Sequence, residues 1–247
     1  LTVFSTPFDE SAVELLESLQ APAYKIASFE LVDLPLIRRV AQTRKPMILS
    51  TGMASESEIE EAVCTARESD CSELLLMHCV SSYPTSVDNA NLRRIQALAK
   101  RFGTQCGLSD HTLGTTAAVT SIALGACAIE KHFTLNRSEK GPDSQFSLEP
   151  DELKQLCGDV RDAWKALGQE SVESSNSDQT SKKFRRSLFF VKDLPAGHRV
   201  GPQDVRRIRP GYGLAPKFFQ DIQGKCLTMD VVRGTPVAWE HLANEEI

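Results

Sequence analysis

Residues 46–80 read PMILSTGMASESEIEEAVCTARESDCSELLLMHCV. Two short apolar runs, 46–51 and 73–80, bracket a polar stretch with helical period. Ser55 and Glu58 have the spacing of a capping box, and Ile59, Val63 and Ala66 fall on one face. Continuous apolar runs suit strands covered on both sides, and a helix between two such strands makes their pairing parallel. This stretch is therefore a βαβ unit.

The same alternation extends in both directions. Strands are predicted at 2–6 (TVFST), 24–28 (YKIAS), 46–51, 73–80, 104–110 (TQCGLSD) and 126–133 (ACAIEKHF), six in all. A closing helix follows in PDELKQLCGDVRDAWKAL, with Leu153, Leu156, Val160, Trp164 and Leu167 at helical spacing and Pro150 at its start. The strand spacing suits a (β/α)8 TIM barrel, which needs two more strands than are counted. Because the chain opens on Leu1 directly into a predicted strand, the expectation is an α/β barrel lacking its first two strands. An open doubly wound sheet is the alternative that counting leaves. The barrel portion covers residues 1–167. Residues 168–183, GQESVESSNSDQTSKK, lack apolar period and read as a linker. Residues 184–247 alternate short strands (RSLFFVKDL, VRRIRP, TPVAW) with turn material and form a small β-rich domain.

With 28 Lys and Arg against 33 Asp and Glu, the net charge of −5 gives no basic footprint for nucleic acid. No run approaches the roughly 18 apolar residues of a membrane span. The start LTVFSTPFDE lacks the basic and apolar regions of a signal peptide, so a cytoplasmic protein is expected. Seven scattered cysteines without a C-x-x-C pair read as reduced packing residues.

Reactive groups of a β/α barrel sit at the C-terminal ends of its strands. Here those ends carry Ser5 and Thr6; Lys25, Ser28 and Glu30; Ser50 and Thr51; His78, Ser81 and Tyr83; Ser109, Asp110 and His111; then Lys131 and His132. Hydroxyls can merely begin turns, but their recurrence beside a lysine suits a phosphorylated, carboxylate-bearing substrate. His111 and His132 end consecutive strands, so their imidazoles can converge on one ion. With no thiolate beside them they fit Mn2+ or a similar divalent Lewis acid, Mg2+ or Co2+ included, better than structural zinc. His78, flanked by apolar residues, reads as a core histidine. Lys25 and Lys131 open a rival reading, a Schiff-base aldolase, against salt bridges to Glu30 or Glu130.

The motifs STPFD (5–9), AYKIASFE (23–30), KPMILSTGM (45–53), HCVSSYPT (78–85), GLSDHT (107–112), EKHFT (130–134) and GPDSQFSLEP (141–150) together resemble the sialic acid synthase family. SLFFVKDLPAGHRV and IRPGYGLAPK resemble its C-terminal antifreeze-like domain, the SAF or β-clip module. KIASFE and IRPGYGLAPK are most similar to the branch that makes pseudaminic acid. The resemblance implies condensation of phosphoenolpyruvate with 2,4-diacetamido-2,4,6-trideoxy-L-altrose to a nine-carbon 2-keto acid and phosphate. Legionaminic and N-acetylneuraminate synthases share that chemistry, and a non-catalytic remnant is the alternative of another class. It implies that Thr6, Lys25, Ser28, Ser50 and Ser109 hold phosphoenolpyruvate, with Ser81 where many relatives carry asparagine. It further implies that His111 and His132 bind the metal and that Glu30, Tyr83 and Asp143 orient the sugar. Arg209 is expected to reach the N-acetyl group across a domain-swapped homodimer. Phe29, a glycine in sialic-type motifs, is expected to face the methyl of a 6-deoxy sugar. Family members carry two further strands with a catalytic glutamate and a lysine before the matched segment, so these 247 residues alone are expected to turn over weakly or not at all.

Overall fold

The computed structural model describes residues 1–170, 172–173 and 176–243. It separates into two units, Leu1–Gln169 and Glu170–Ile247.

The first unit is built on five parallel strands: β1 (Tyr24–Ile26), β2 (Met47–Ser50), β3 (Leu74–Cys79), β4 (Gln105–Asp110) and β5 (Ile129–Lys131). They pair in chain order, β1-β2-β3-β4-β5, with no reversal. A doubly wound sheet reverses its order at a switch point, so that alternative is set aside. Helices α1 (Glu10–Ser18), α2 (Leu34–Ala41), α3 (Glu56–Glu68), α4 (Arg94–Phe102), α5 (Thr116–Ala123) and α6 (Pro150–Leu167) accompany the strands. The capping box at α3 forms in both directions: Glu58 N–H donates to Ser55 Oγ and Ser55 N–H donates to Glu58 Oε2.

Strand alternation sorts side chains onto two faces. The outer face packs Tyr24, Ile26, Met47, Leu49, Leu76, Cys106 and Leu108 against Val13, Ile37, Val40, Ile59, Val63, Ile95 and Leu98 of the helices. The inner face follows from the register: Lys25, Ile48, Leu75 and Gln105 form one row, Ser50, Met77 and Gly107 the next, and Cys79, Ser109 and Glu130 the uppermost. β1 and β5 are the two outer strands, yet Lys25 Nζ lies 3.5 Å from Glu130 Oε1. A flat sheet would hold their backbones about 19 Å apart, four spacings of about 4.8 Å. The sheet is therefore curled into a half-barrel, around an open trough of about 800 Å³ lined by Phe4, Ile48, Leu75, Met77, Ile129 and Leu153.

Several expectations are corrected. Residues 2–6 do not form a sixth strand; they contribute a single bridge, Ser5 to Tyr24, while Leu1, Val3 and Phe4 stay exposed. In α6 only Leu156 is buried, and Trp164 points outward at 70% exposure. Of the cysteines, Cys64, Cys127 and Cys157 are exposed rather than packed.

In the second unit a six-residue helix, α7 (Asn176–Ser181), occupies part of the stretch read as linker. Residues 171, 174, 175 and 244–247 of the linker and C-terminal readings lie outside the described residues. β6 (Ser187–Phe190) and β7 (Val205–Ile208) pair antiparallel. Residues 235–239 add one bridge, Phe189 to Pro236, in place of a strand. The core collects Leu188, Phe190, Val200, Val205, Ile222, Leu227, Val237 and Leu242. Gly213 admits the close crossing at its centre, since a methyl carbon there would sit 3.0 Å from Val237 N and closer to Leu188 O.

Candidate active site

The upper inner row and the loops beyond it bring most of the predicted residues together. Ser109 Oγ donates to Glu130 Oε1 at 2.6 Å, and the same carboxylate oxygen faces Lys25 Nζ at 3.5 Å. Two residues beyond Ser109, and so on the same face, His111 Nδ1 donates to the Val80 carbonyl at 2.8 Å. That bond assigns the ring proton to Nδ1 and leaves the Nε2 lone pair free, 3.5 Å from Ser109 Oγ. Burial pushes the His111 imidazole below its ordinary pKa, and the neighbouring His132 adds to this, so it is held neutral.

The two rings meet as strand alternation requires, with the centroids of His111 and His132 5.3 Å apart. Tyr83, from the loop after β3, tilts over His111 at 4.2 Å, and Phe146 packs edge-on to His132 at 5.0 Å. His132 Nδ1 lies 3.6 Å from Asp143 Oδ2. Burial raises the Tyr83 phenol, helped by the nearby Cys79, Glu130 and Asp143.

A second cluster adjoins the first across β3. Gly52 N–H donates to Ser28 Oγ at 3.2 Å, and Ser28 Oγ lies 3.0 Å from Cys79 Sγ. A methyl carbon at Gly52 would fall 2.9 Å from Ser28 Oγ, 2.6 Å from Cys79 Sγ and closer still to Ser81 Oγ, so only glycine leaves these groups in place. The Ser81 and Ser50 hydroxyls and Glu30 Oε2 are buried with no hydrogen-bond partner among the described residues. Unpaired buried polar atoms cost free energy unless a ligand satisfies them.

The remaining predicted residues stand apart. Thr6 is half-buried just past the Ser5 bridge, and Arg209 is exposed, one residue beyond β7 in the second unit. Phe29 is 62% exposed between Ser28 and Glu30. Lys131 is no Schiff-base candidate: its ammonium is buried against Asp110 Oδ2 at 2.8 Å and the Thr112 carbonyl. His78 faces the helices, bonded to the Ala90 carbonyl at 2.8 Å, the core role expected.

Two residues of these clusters fall outside the sequence-based set: Glu130, expected as a salt-bridge partner, and Cys79, expected as packing. Glu130 lies two residues before His132 and Cys79 two before Ser81, and that spacing is the signal that places each on the same strand face.

Comparison with known proteins shows the family. The NeuB family model matches residues 1–172 and the SAF domain model matches residues 185–243. The chain belongs to the NeuB family. This NeuB-family chain is 40% identical to the pseudaminic acid synthase of Helicobacter pylori over 96% of its own length and 70% of that protein. It is 38% identical to the N,N'-diacetyllegionaminic acid synthase of Legionella pneumophila, over 96% and 68% respectively. Among solved structures it is similar to the spore coat polysaccharide biosynthesis protein SpsE of Bacillus subtilis, at 32% identity and a TM-score of 0.65, over 98% of this chain and 74% of that one. The half-barrel is thus the family's synthase region and the second unit carries its SAF domain. No helix among the described residues is long and apolar enough to cross a membrane.

Proposed function

We propose that this chain condenses phosphoenolpyruvate with an open-chain N-acetylated amino sugar, the acceptor being 2,4-diacetamido-2,4,6-trideoxy-L-altrose and the product pseudaminic acid. The observation that carries the reading is the meeting of Lys25, Ser109 and Glu130 with the His111 and His132 imidazoles on one face of the curled sheet. The resemblance to pseudaminic acid synthases supports the choice of acceptor.

In this reading the hydroxyls of Ser28, Ser50 and Ser81 donate to the phosphate and carboxylate oxygens of phosphoenolpyruvate, and Ser109 joins them once its proton turns from Glu130 to the ligand, while the Gly52 N–H stays on Ser28. Lys25 balances their charge. Thr6 adds a hydroxyl at the rim. Glu30, Tyr83 and Asp143 orient the sugar, and Arg209 of a second copy receives its N-acetyl group in a domain-swapped homodimer. The exposed Phe29 ring gives the 6-methyl an apolar neighbour. C3 of the enol bonds to the aldehyde carbon, water adds at C2, and the C2–O bond breaks to release phosphate and leave the 2-keto acid.

The site also fits a divalent metal, Mn2+ before Mg2+ or Co2+. His111 is neutral with its Nδ1 proton spent on Val80, which leaves Nε2 as a ligand atom, and His132 lies beside it. Bound there, the ion would supply a Lewis acid for the aldehyde oxygen.

The test is calorimetric titration of the 247-residue chain with phosphoenolpyruvate, wild type against Lys25→Met, followed by an acceptor panel read by phosphate release over long incubations. The expected result is saturable binding weakened about 10- to 100-fold by Lys25→Met, with the 6-deoxy diacetamido sugar preferred. Absence of binding overturns the proposal, and preference for N-acetylmannosamine overturns its choice of acceptor.

A further inference from the structure

Cys79 lies on the upper inner row between the two clusters, 3% exposed, with its sulfur 3.0 Å from Ser28 Oγ. Ser28 Oγ also accepts the Gly52 N–H at 3.2 Å. A hydroxyl has two acceptor lone pairs and one proton. With Gly52 on one lone pair, two arrangements remain for the Ser28–Cys79 contact. In one, Ser28 donates to sulfur and has no proton left for a ligand. In the other, the thiol donates to Ser28, fills its second lone pair and leaves the hydroxyl proton free.

The chemistry of the ligand decides between them. A hydroxyl is a stronger donor than a thiol, and a hydrogen bond to an anionic oxygen is about twice as strong as one between neutral groups. With an anion at the site, the lower-energy chain runs S–H to Ser28 Oγ, then Ser28 O–H to the anion, each bond polarising the next. The space is fixed around this chain, because a methyl carbon at Gly52 would collide with Ser28, Cys79 and Ser81 alike. The buried Ser81 hydroxyl beside them has no partner among the described residues, which points to a ligand at this spot.

We propose that Cys79 is a positioning residue that donates its thiol proton to Ser28 and thereby aims the Ser28 hydroxyl at the bound anion. The proposal rests on reading the site as one for phosphoenolpyruvate, and it assigns Cys79 no contact with substrate.

The experiment is calorimetric titration with phosphoenolpyruvate, and in parallel with inorganic phosphate, of the wild-type chain, Cys79→Ser, Cys79→Ala, Cys79→Val, Ser28→Ala and the double variant Ser28→Ala/Cys79→Ala. Loss of the donor in Cys79→Ala is expected to weaken binding about 3- to 10-fold. Cys79→Val, which keeps bulk but no donor, should match it, and Cys79→Ser, which restores a donor, should bind within about twofold of wild type. Because Cys79 acts only through Ser28, the double variant should bind like Ser28→Ala alone. A packing role predicts the opposite order, with the apolar variants tolerated better than the buried serine. Wild-type binding with unchanged Cys79→Ala and Cys79→Val, or losses that multiply in the double variant, would overturn this inference and leave the proposed function standing. A wild-type chain that binds no phosphoenolpyruvate would overturn both.

Discussion

Gly52→Ala tests the geometry of the site without removing any group from it. The added carbon would lie 2.6 Å from Cys79 Sγ and 2.9 Å from Ser28 Oγ, against the 3.4 Å at which ordinary contact begins. The sulfur must therefore retreat by about 0.8 Å and the hydroxyl by about 0.5 Å, by subtraction from the same distances. Ser81 Oγ, closer still, has no partner among the described residues and can rotate away. Ser28 and Cys79 cannot do so independently, because each holds the other and Ser28 holds the Gly52 N–H. Overpacking of this kind costs about 1–3 kcal/mol, a shift in unfolding temperature of several degrees for a unit of this size. Displacing the Ser28 donor together with the thiol that aims it should weaken phosphoenolpyruvate binding about 10- to 100-fold. Gly103→Ala supplies the control: φ there is +59° and nothing lies within 4 Å of the new carbon, so it should lose stability and leave binding intact. Calorimetric titration and thermal unfolding of both variants give the answer. If Gly52→Ala bound phosphoenolpyruvate within twofold of wild type, the crowded cluster would not be the anion site.

Two further predictions address what holds each unit together. Lys131→Met leaves Asp110 buried with a charge answered, among the described residues, by the Thr112 N–H at 2.9 Å, and should destabilise the first unit by about 3–5 kcal/mol in denaturant unfolding. Adding Asp110→Asn should recover part of that loss, and no recovery would refute the charge argument. In the second unit burial raises the Asp204 carboxyl, but bonds from Lys192, His198 and the Gly201 N–H outweigh it and hold the pKa at about 2 instead of 3.8. A lowered folded-state pKa gives stability that is present above the unfolded value and lost as pH falls through the folded one. About 2 kcal/mol should therefore disappear between pH 4 and pH 2. Asp204→Asn should flatten that window when unfolding is followed by Trp239 fluorescence in a Trp164→Phe background, and an unchanged profile would refute the assignment.

Much of this was legible in the sequence, because strand alternation and helix caps are local. The βαβ unit at 46–80, the capping box at Ser55 and the convergence of His111 with His132 follow from periods of two and 3.6. The errors have a common source in longer-range packing. Residues 2–6 carry a strand-like pattern, but a strand needs a partner along its length, and only Ser5 finds one in Tyr24. Trp164 lies on the apolar stripe of α6, yet the stripe runs past the surface that covers Leu156. Glu130 and Cys79 were within reach, since a residue two positions before a site residue shares its strand face. Residue type alone points Glu130 to an ion pair and Cys79 to the core, whereas the shared strand face points both to the cluster.

The Lys25–Glu130 pair shows how fold and site depend on one another. Lys25 shares its register row with Ile48, Leu75 and Gln105, whereas Glu130 shares a higher row with Cys79 and Ser109. Side chains from different rows of the two outer strands meet only if the sheet is both curled and staggered, as strands tilted about a barrel axis are. The stagger lifts the Lys25 ammonium from the lower, apolar row to the height of Ser109, where it faces the same carboxylate oxygen that accepts the serine proton. In a flat sheet Glu130 would keep the hydrogen bond from Ser109 on the adjacent strand but lose Lys25, four strands away. The curvature thus brings the two charges together, and the candidate site is a consequence of the shape that gives it a cavity.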